Sequence, residues 1–123
     1  MRDRLVASVL AGDKVATSSL LVEYETGGEA LPRSGERSVL VNSSNAAVAL
    51  VEVTAAEVIR LGDADLQLAS DEGEGYGSVR EWRDAHEAFW RSEVLPGLPG
   101  SERLQIDDDT RIVVERFRVV TRI

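Results

Sequence analysis

The segment GDKVATSSLLVEYE, residues 12–25, joins a helical pattern to a strand-like pattern, and the predicted fold follows from it. Before it, apolar residues recur at helical spacing, which predicts a helix over residues 2–11. Gly12 is suited to end that helix in a left-handed conformation. From Thr17 the sequence alternates with a period of two, which predicts a strand through Glu25. A turn after the helix would aim Lys14 and Thr17 at one spot, whereas a straight strand points residues three apart to opposite faces.

Length and composition indicate one domain over residues 1–123. The 123 residues are 43% hydrophobic and 29% charged, which is ordinary for a soluble globular protein. No apolar run is long enough to cross a bilayer and no secretory signal is present. Because cysteine is also absent, as is common in a reducing compartment, we expect a cytoplasmic protein with no membrane partner.

The composition gives little support to metal or cofactor chemistry. Without cysteine there are no thiolate ligands, and the single histidine, His86, excludes a multi-histidine metal site within one chain. The acidic run at residues 107–109 lacks the glycine and the later glutamate of a calcium loop, so it is predicted to be a turn. We therefore predict no metal and no cofactor.

The net charge of −8, from 22 acidic and 14 basic residues, bears on possible partners. Binding to a nucleic acid backbone depends on clustered cations, so no affinity for DNA is expected. A local pocket could still bind a small-molecule nucleoside or a short single-stranded RNA. The sequence does not specify the oligomeric state.

The order of the remaining elements favours an α+β fold. We expect strands where aliphatic residues concentrate, at residues 38–41, 47–53 (with an extension through residue 61 after a bend) and 111–123. The first two of these form a predicted hairpin, a loop is expected at 26–37, and a short helix at 63–69. No internal repeat and no regular alternation of strand and helix is present. This favours a small, mostly antiparallel β-barrel with flanking helices.

A glycine-spaced segment, SDEGEGYG at residues 70–77, precedes the strongest helical pattern in the chain. Ser78 and Glu81 form a capping-box pattern at the start of this helix. Apolar and aromatic residues then recur at spacings of three and four, which places on one helix face Val79, Trp82, His86, Phe89 and Trp90.

Three motifs together resemble the ASCH domain family, a branch of the PUA-like β-barrels. Residues 12–17, GDKVAT, are similar to the family's Gly-x-Lys-x-x-Thr signature. The second motif is EGEG at residues 72–75 followed by SVREWRDAHEAF at 78–89, and the third is ERF at 115–117 with the aliphatic run after it. The three motifs occur in the expected order and span most of the chain. Many relatives carry an arginine where Ser19 stands here.

The resemblance implies a barrel with a cleft lined by Lys14, Thr17 and Glu74. Some small ASCH proteins resemble amidohydrolases that remove the acyl group from an N4-acylated cytidine, and the residues at these three positions are catalytic in them. Other family members are described as ribonucleases or as RNA-binding proteins. The competing hypotheses are therefore an amidohydrolase, a ribonuclease, and a non-catalytic module that binds RNA or a modified nucleoside.

The chemistry of the three side chains is compatible with acyl transfer. A threonine hydroxyl needs a neighbouring base before it becomes a good nucleophile. Lys14 could serve as that base, or as a charged group could stabilise an oxyanion. Glu74 could protonate the leaving amine or activate water, and Glu72 competes with it for a carboxylate role. Without the motif, Lys14 and Glu74 would be interpreted as solvated charges and Thr17 as an ordinary strand residue.

Five further residues are candidates for substrate binding, namely Ser19, Glu72, Trp82, Arg116 and Arg118. Trp82 could stack on a base, although its helical spacing more often indicates core packing. The two arginines could contact a phosphate or pair with the many acidic residues. His86 lies between aromatic residues on an apolar face, so we expect a hydrogen-bonded core histidine rather than a catalyst.

Overall fold

A four-stranded antiparallel sheet, curled into half a barrel, is the centre of the computed structural model, which describes residues 2–101 and 103–123. The strands are β1 (Ala16–Leu20), β2 (Arg37–Val41), β3 (Ala47–Arg60) and β4 (Arg111–Arg122). In space they follow the order β1-β4-β3-β2, so that the long strands β3 and β4 are central and the short ones lie at the edges. The predicted α+β class with a mostly antiparallel, barrel-like sheet is confirmed. Met1 and Glu102, which the single-domain prediction includes, lie outside the described residues.

Four α-helices accompany the sheet in the described residues: α1 (Arg2–Leu10), α2 (Leu21–Gly27), α3 (Leu66–Asp71) and α4 (Val79–Phe89). Shorter helical turns are a π-helical turn at Trp90–Val94 and 3₁₀ turns at Leu61–Asp63 and Leu95–Gly97. Within residues 2–101 and 103–123, none of the helices has the length and the apolar character needed to cross a membrane.

The strand predicted from Thr17 to Glu25 is wrong in its second half. β1 ends at Leu20, which pairs with Ile112, the second residue of β4. Beyond this pair β4 offers almost no backbone to continue the ladder, and the chain turns into α2 instead. The Glu23 carboxylate accepts a hydrogen bond from the Leu20 N–H at 2.8 Å, which satisfies one backbone donor at the start of that helix.

The predicted hairpin is formed by β2 and β3, and the predicted bend in β3 has a local cause. The pairing between β3 and β4 shifts register between Leu50 and Val51 and again between Val53 and Ala55. Such bulges bend a strand and increase its twist. The aliphatic run after residue 47 therefore continues as one strand to Arg60.

α4 begins as predicted, and one tryptophan from α4 and one from the π-helical turn that follows it pack into the core. The Ser78 hydroxyl accepts a hydrogen bond from the Glu81 N–H at 3.1 Å, while the Glu81 carboxylate accepts from Gly77 rather than from Ser78. Trp82 and Trp90 are each 1% exposed. Phe89, on the same apolar face, is 46% exposed.

Candidate functional site

The glycine-spaced loop packs directly on the backbone that precedes β1. The Val15 N–H donates to the Asp71 carbonyl at 2.8 Å, and the Ser8 hydroxyl donates to the Gly73 carbonyl at 3.3 Å. A Cβ atom at Gly73 would lie 2.7 Å from the backbone nitrogen of Lys14 and 2.8 Å from the backbone carbonyl of Asp13. Real Cβ atoms do not approach other atoms this closely. Gly73 also has a φ of +71°, a conformation that favours glycine. The loop and the turn after α1 are therefore fixed against each other.

We expect Gly73→Ala to destabilise the protein more than Gly75→Ala. Both glycines have positive φ, and forcing alanine into this conformation costs about 1–2 kcal/mol. Only Gly73 adds a clash with backbone atoms, since a Cβ at Gly75 meets nothing within 4 Å. Chemical denaturation of both variants measures the difference, and equal losses would show that the close contact does not hold the loop.

Lys14 is held by the two segments that meet at this contact. Its ammonium donates to the carbonyls of Ala16, at 3.1 Å, and Glu72, at 3.2 Å. Its Nζ also lies 3.9 Å from Glu72 Oε1, and the side chain is only 11% exposed. An ammonium group has three N–H donors. Two of them donate to the two carbonyls, so one remains available to a ligand.

Glu72 is buried beneath Lys14 and connects three elements. One carboxylate oxygen accepts hydrogen bonds from the Ser18 hydroxyl at 2.8 Å and from Trp82 Nε1 at 2.6 Å. The other lies 3.0 Å from His86 Nε2. Burial raises the pKa of Glu72. The hydrogen bond and the charge of His86, and then the hydrogen bonds from Trp82 and Ser18, lower the pKa by more than burial raises it. The net pKa of Glu72 is therefore lower than usual.

His86 is hydrogen-bonded through both ring nitrogens, as expected of a core histidine. Nδ1 lies 2.8 Å from the Trp82 carbonyl, which can only accept, so Nδ1 carries a proton. Nε2 faces the Glu72 carboxylate and lies 3.0 Å from its Oε1. The imidazole also stacks on the Trp82 ring, with the centroids 4.5 Å apart. These contacts fix the orientation of His86 at the edge of a cavity.

The first of two neighbouring cavities is lined by all three predicted catalytic residues. It has a volume of about 290 Å³, and its polar lining consists of Lys14, Thr17, Ser18, Glu74, Tyr76 and His86. Glu74 accepts a hydrogen bond from the Arg4 guanidinium at 3.1 Å and is 17% exposed. Burial raises the pKa of Tyr76, and the nearby Glu74 and Glu72 carboxylates raise it further, so the phenol remains a hydrogen-bond donor. The cavity thus combines a hydroxyl, an ammonium and a carboxylate.

The second cavity lies between α1 and the sheet and has a volume of about 500 Å³. Leu5, Lys14 and Thr17 line both cavities. Glu115 faces the second cavity, and it is the cross-strand partner of Thr17 in the β1–β4 pairing. Burial raises the pKa of the Glu115 carboxyl, and repulsion from the Glu36 charge raises it further.

Comparison with known proteins identifies the family. The sequence model of the ASCH domain matches residues 1–121. This chain belongs to the ASCH domain family. A crystal structure of an ASCH domain from Lactobacillus crispatus is 28% identical, with a TM-score of 0.83 over 96% of this chain and 71% of that one. A crystal structure of a protein from Enterococcus faecalis is 27% identical, with a TM-score of 0.82 over 97% of this chain and 68% of that one. A search of curated proteins found no match.

The structure places all five predicted substrate-binding residues of this ASCH domain outside the described lining of the two cavities. Trp82 is 1% exposed and stacks on His86, so it supports the first cavity from behind and offers no free face to a base. Arg116 pairs with Asp71, and Arg118 with Glu52. The other two candidates are also absent from the described lining of either cavity. Ser19 lies opposite Val113 in the β1–β4 ladder, and Glu72 is buried beneath Lys14.

Tyr76, Glu115 and Phe89 belong to the site but were not assigned a role in it from the sequence of this ASCH domain. Tyr76 lies between two glycines, and its aromatic character in a polar loop was the available signal. Glu115 belongs to the ERF motif, but only the strand pairing places it beside Thr17. Phe89 was placed only on the apolar face of α4, and the structure shows that it lines the first cavity and is half-exposed.

Proposed function

We propose that this ASCH domain is an amidohydrolase that removes the acyl group from N4-acylated cytidine or a similarly acylated nucleoside in the cytoplasm. The observation that carries the proposal is that Lys14, Thr17 and Glu74 line one cavity. These are the residues that the family resemblance assigns to catalysis. The fixed position of Lys14, with one N–H left to donate, supports an electrostatic role for it rather than a role as the base.

In the proposed reaction the Thr17 hydroxyl attacks the amide carbonyl while Glu74 takes its proton. The remaining N–H of Lys14 donates to the oxyanion that forms. Glu74 then returns the proton to the nitrogen as the C–N bond breaks, which releases the amine and leaves an ester on Thr17. Water attacks this ester while Glu74 accepts the water proton. Glu74 then gives that proton to the Thr17 oxygen as the ester C–O bond breaks, which releases the carboxylic acid and regenerates the free hydroxyl and the Glu74 carboxylate.

Aromatic residues at the first cavity provide a surface for the base. Phe89 lines the cavity and is 46% exposed, so a pyrimidine could stack on its ring. The Tyr76 phenol is available as a hydrogen-bond donor to a carbonyl or ring nitrogen of the base. We therefore assign base recognition to these two residues and not to the buried Trp82.

The charge distribution favours a small substrate over an RNA chain. The protein has a net charge of −8. Three arginines near the site each pair with a carboxylate: Arg4 with Glu74, Arg116 with Asp71, and Arg118 with Glu52. Binding a phosphate backbone would require these pairs to open, and it would meet net repulsion from the surface.

The proposal is tested by incubating the purified protein with N4-acetylcytidine and, separately, with a single-stranded RNA. We expect cytidine and acetate to appear in equal amounts, measured by liquid chromatography, and the RNA to stay intact. Cleaved RNA without deacylation would favour a ribonuclease. Saturable binding of either compound without any product would favour a binding module, and both results would contradict the proposal.

A further inference from the structure

The second cavity adjoins the proposed reaction centre. Leu5, Lys14 and Thr17 form part of the wall of both cavities. A substrate whose carbonyl lies at the Thr17 hydroxyl can therefore extend one substituent into each cavity. The nucleoside, with its polar groups, suits the first cavity, because that cavity presents Tyr76, Glu74 and an exposed aromatic ring.

The lining of the second cavity is mainly aliphatic. The lining comes from α1 and all four strands. Its apolar side chains include Val6 and Val9 from α1, Leu40 from β2, Val51 and Val53 from β3, and Phe117 from β4. Of the polar side chains in the lining, Thr17 and its cross-strand partner Glu115 lie beside the reaction centre, and the others are Arg2, Lys14 and Ser38. A flexible chain of methylene groups matches the aliphatic part, while the amide carbonyl matches the polar end.

An acetyl group would leave most of this space without packing partners. The volume of about 500 Å³ exceeds that of the first cavity, about 290 Å³, which would hold the whole base. Apolar space that no ligand fills loses the dispersion contacts that stabilise protein interiors. We propose that the second cavity binds an unbranched aliphatic acyl chain of roughly four to eight carbons, which makes the protein a medium-chain deacylase. This inference rests on the proposed amidohydrolase function.

A series of N4-acylcytidines tests the inference on the unmodified protein. Burying one methylene group is worth a factor of about 3 to 4, so kcat/KM should rise by that factor for each added carbon from acetyl to hexanoyl. Hexanoylcytidine should therefore exceed acetylcytidine by roughly 80- to 250-fold. A flat or falling series would overturn the inference while leaving the proposed function intact.

Two neighbouring residues on β2 offer a matched pair of variants. Leu40 lines the second cavity, whereas Val39 is 53% exposed on the opposite face of the strand. We expect Leu40→Trp to lower the hexanoyl-to-acetyl ratio of kcat/KM by about 10-fold or more, because the indole occupies the space of the chain. Val39→Trp should leave the ratio unchanged. Equal ratios in the two variants would contradict the inference.

A binding measurement separates this inference from the proposed function. If no acylcytidine is hydrolysed, the proposed function fails, but the affinity of the unmodified protein for acetyl-, butyryl- and hexanoylcytidine can still be measured by calorimetry. Affinity that rises about 3- to 4-fold per carbon, and that falls in the Leu40→Trp protein, would support the acyl-binding cavity. Affinity independent of chain length would overturn it.

Discussion

Replacing Thr17 with valine should lower kcat/KM for N4-acetylcytidine by about 10⁴-fold or more, because loss of the nucleophile removes the covalent route. Valine has nearly the same shape as threonine and favours strands, so β1 should form normally. The measurement is the rate of cytidine release under steady-state conditions.

Thr17→Ser is the matched control, since it keeps a hydroxyl at the same position and should retain most of the activity. Glu74→Gln keeps the size of the side chain and removes its proton-accepting ability, so we expect a loss of about 10²- to 10⁴-fold. Full activity in the Thr17→Val protein would show that threonine is not the nucleophile. Full activity in the Glu74→Gln protein would move the acid–base role to another carboxylate, with Glu115 next to Thr17 as the first residue to examine.

Replacing Glu72 with alanine should lower the free energy of unfolding by about 3–5 kcal/mol, because the change leaves buried donors and a buried charge without an acceptor. The affected groups are Trp82 Nε1, the Ser18 hydroxyl, His86 Nε2 and Lys14 Nζ. Denaturant unfolding followed by tryptophan fluorescence measures this loss, and it also reports on the environment of Trp82.

Glu52→Ala provides the control for a carboxylate that pairs with two arginines at the surface, Arg37 and Arg118. Its loss of stability should be far smaller, since solvent screens exposed ion pairs. If the two variants lost the same stability, the network around Glu72 would not be a main contributor to the fold.

The pH dependence of stability gives an independent check on Glu72. Its pKa is lower in the folded protein than usual, so its stabilising contribution is present above the ordinary glutamate pKa. That contribution is lost as the pH falls through the folded pKa. The Glu72→Gln protein should therefore show a weaker decline in stability over this acidic range than the unmodified protein.

The features that could be predicted from the sequence are those determined by local patterns. The helix before Gly12 and the serine cap of α4 depend on residues within one or two turns of each other. The hairpin of β2 and β3 follows from two aliphatic runs joined by turn residues. Two short motifs also marked Lys14, Thr17 and Glu74, which line one cavity, and their catalytic role stays a prediction.

The features that could not be predicted depend on contacts between distant segments. Residues 20–24 alternate in a way that fits a strand. The chain nevertheless forms α2 after residue 20, because β4 ends its pairing with β1 at Ile112. Glu72 and Glu74 have nearly identical local sequences, yet one is buried under Lys14 and the other lines a cavity. The second cavity is assembled from α1 and all four strands, so no single segment indicates it.

The contact between Gly73 and the Lys14 backbone has a consequence for how this loop can vary among distant relatives. Because the chain is clamped at that glycine, the acidic residues on either side of it are committed to different surroundings. Inserting one residue between Glu72 and Gly73 would move the buried carboxylate along the chain and away from its partners on β1 and α4. Spacing, more than identity, should therefore be the property that natural selection preserves in this part of the chain.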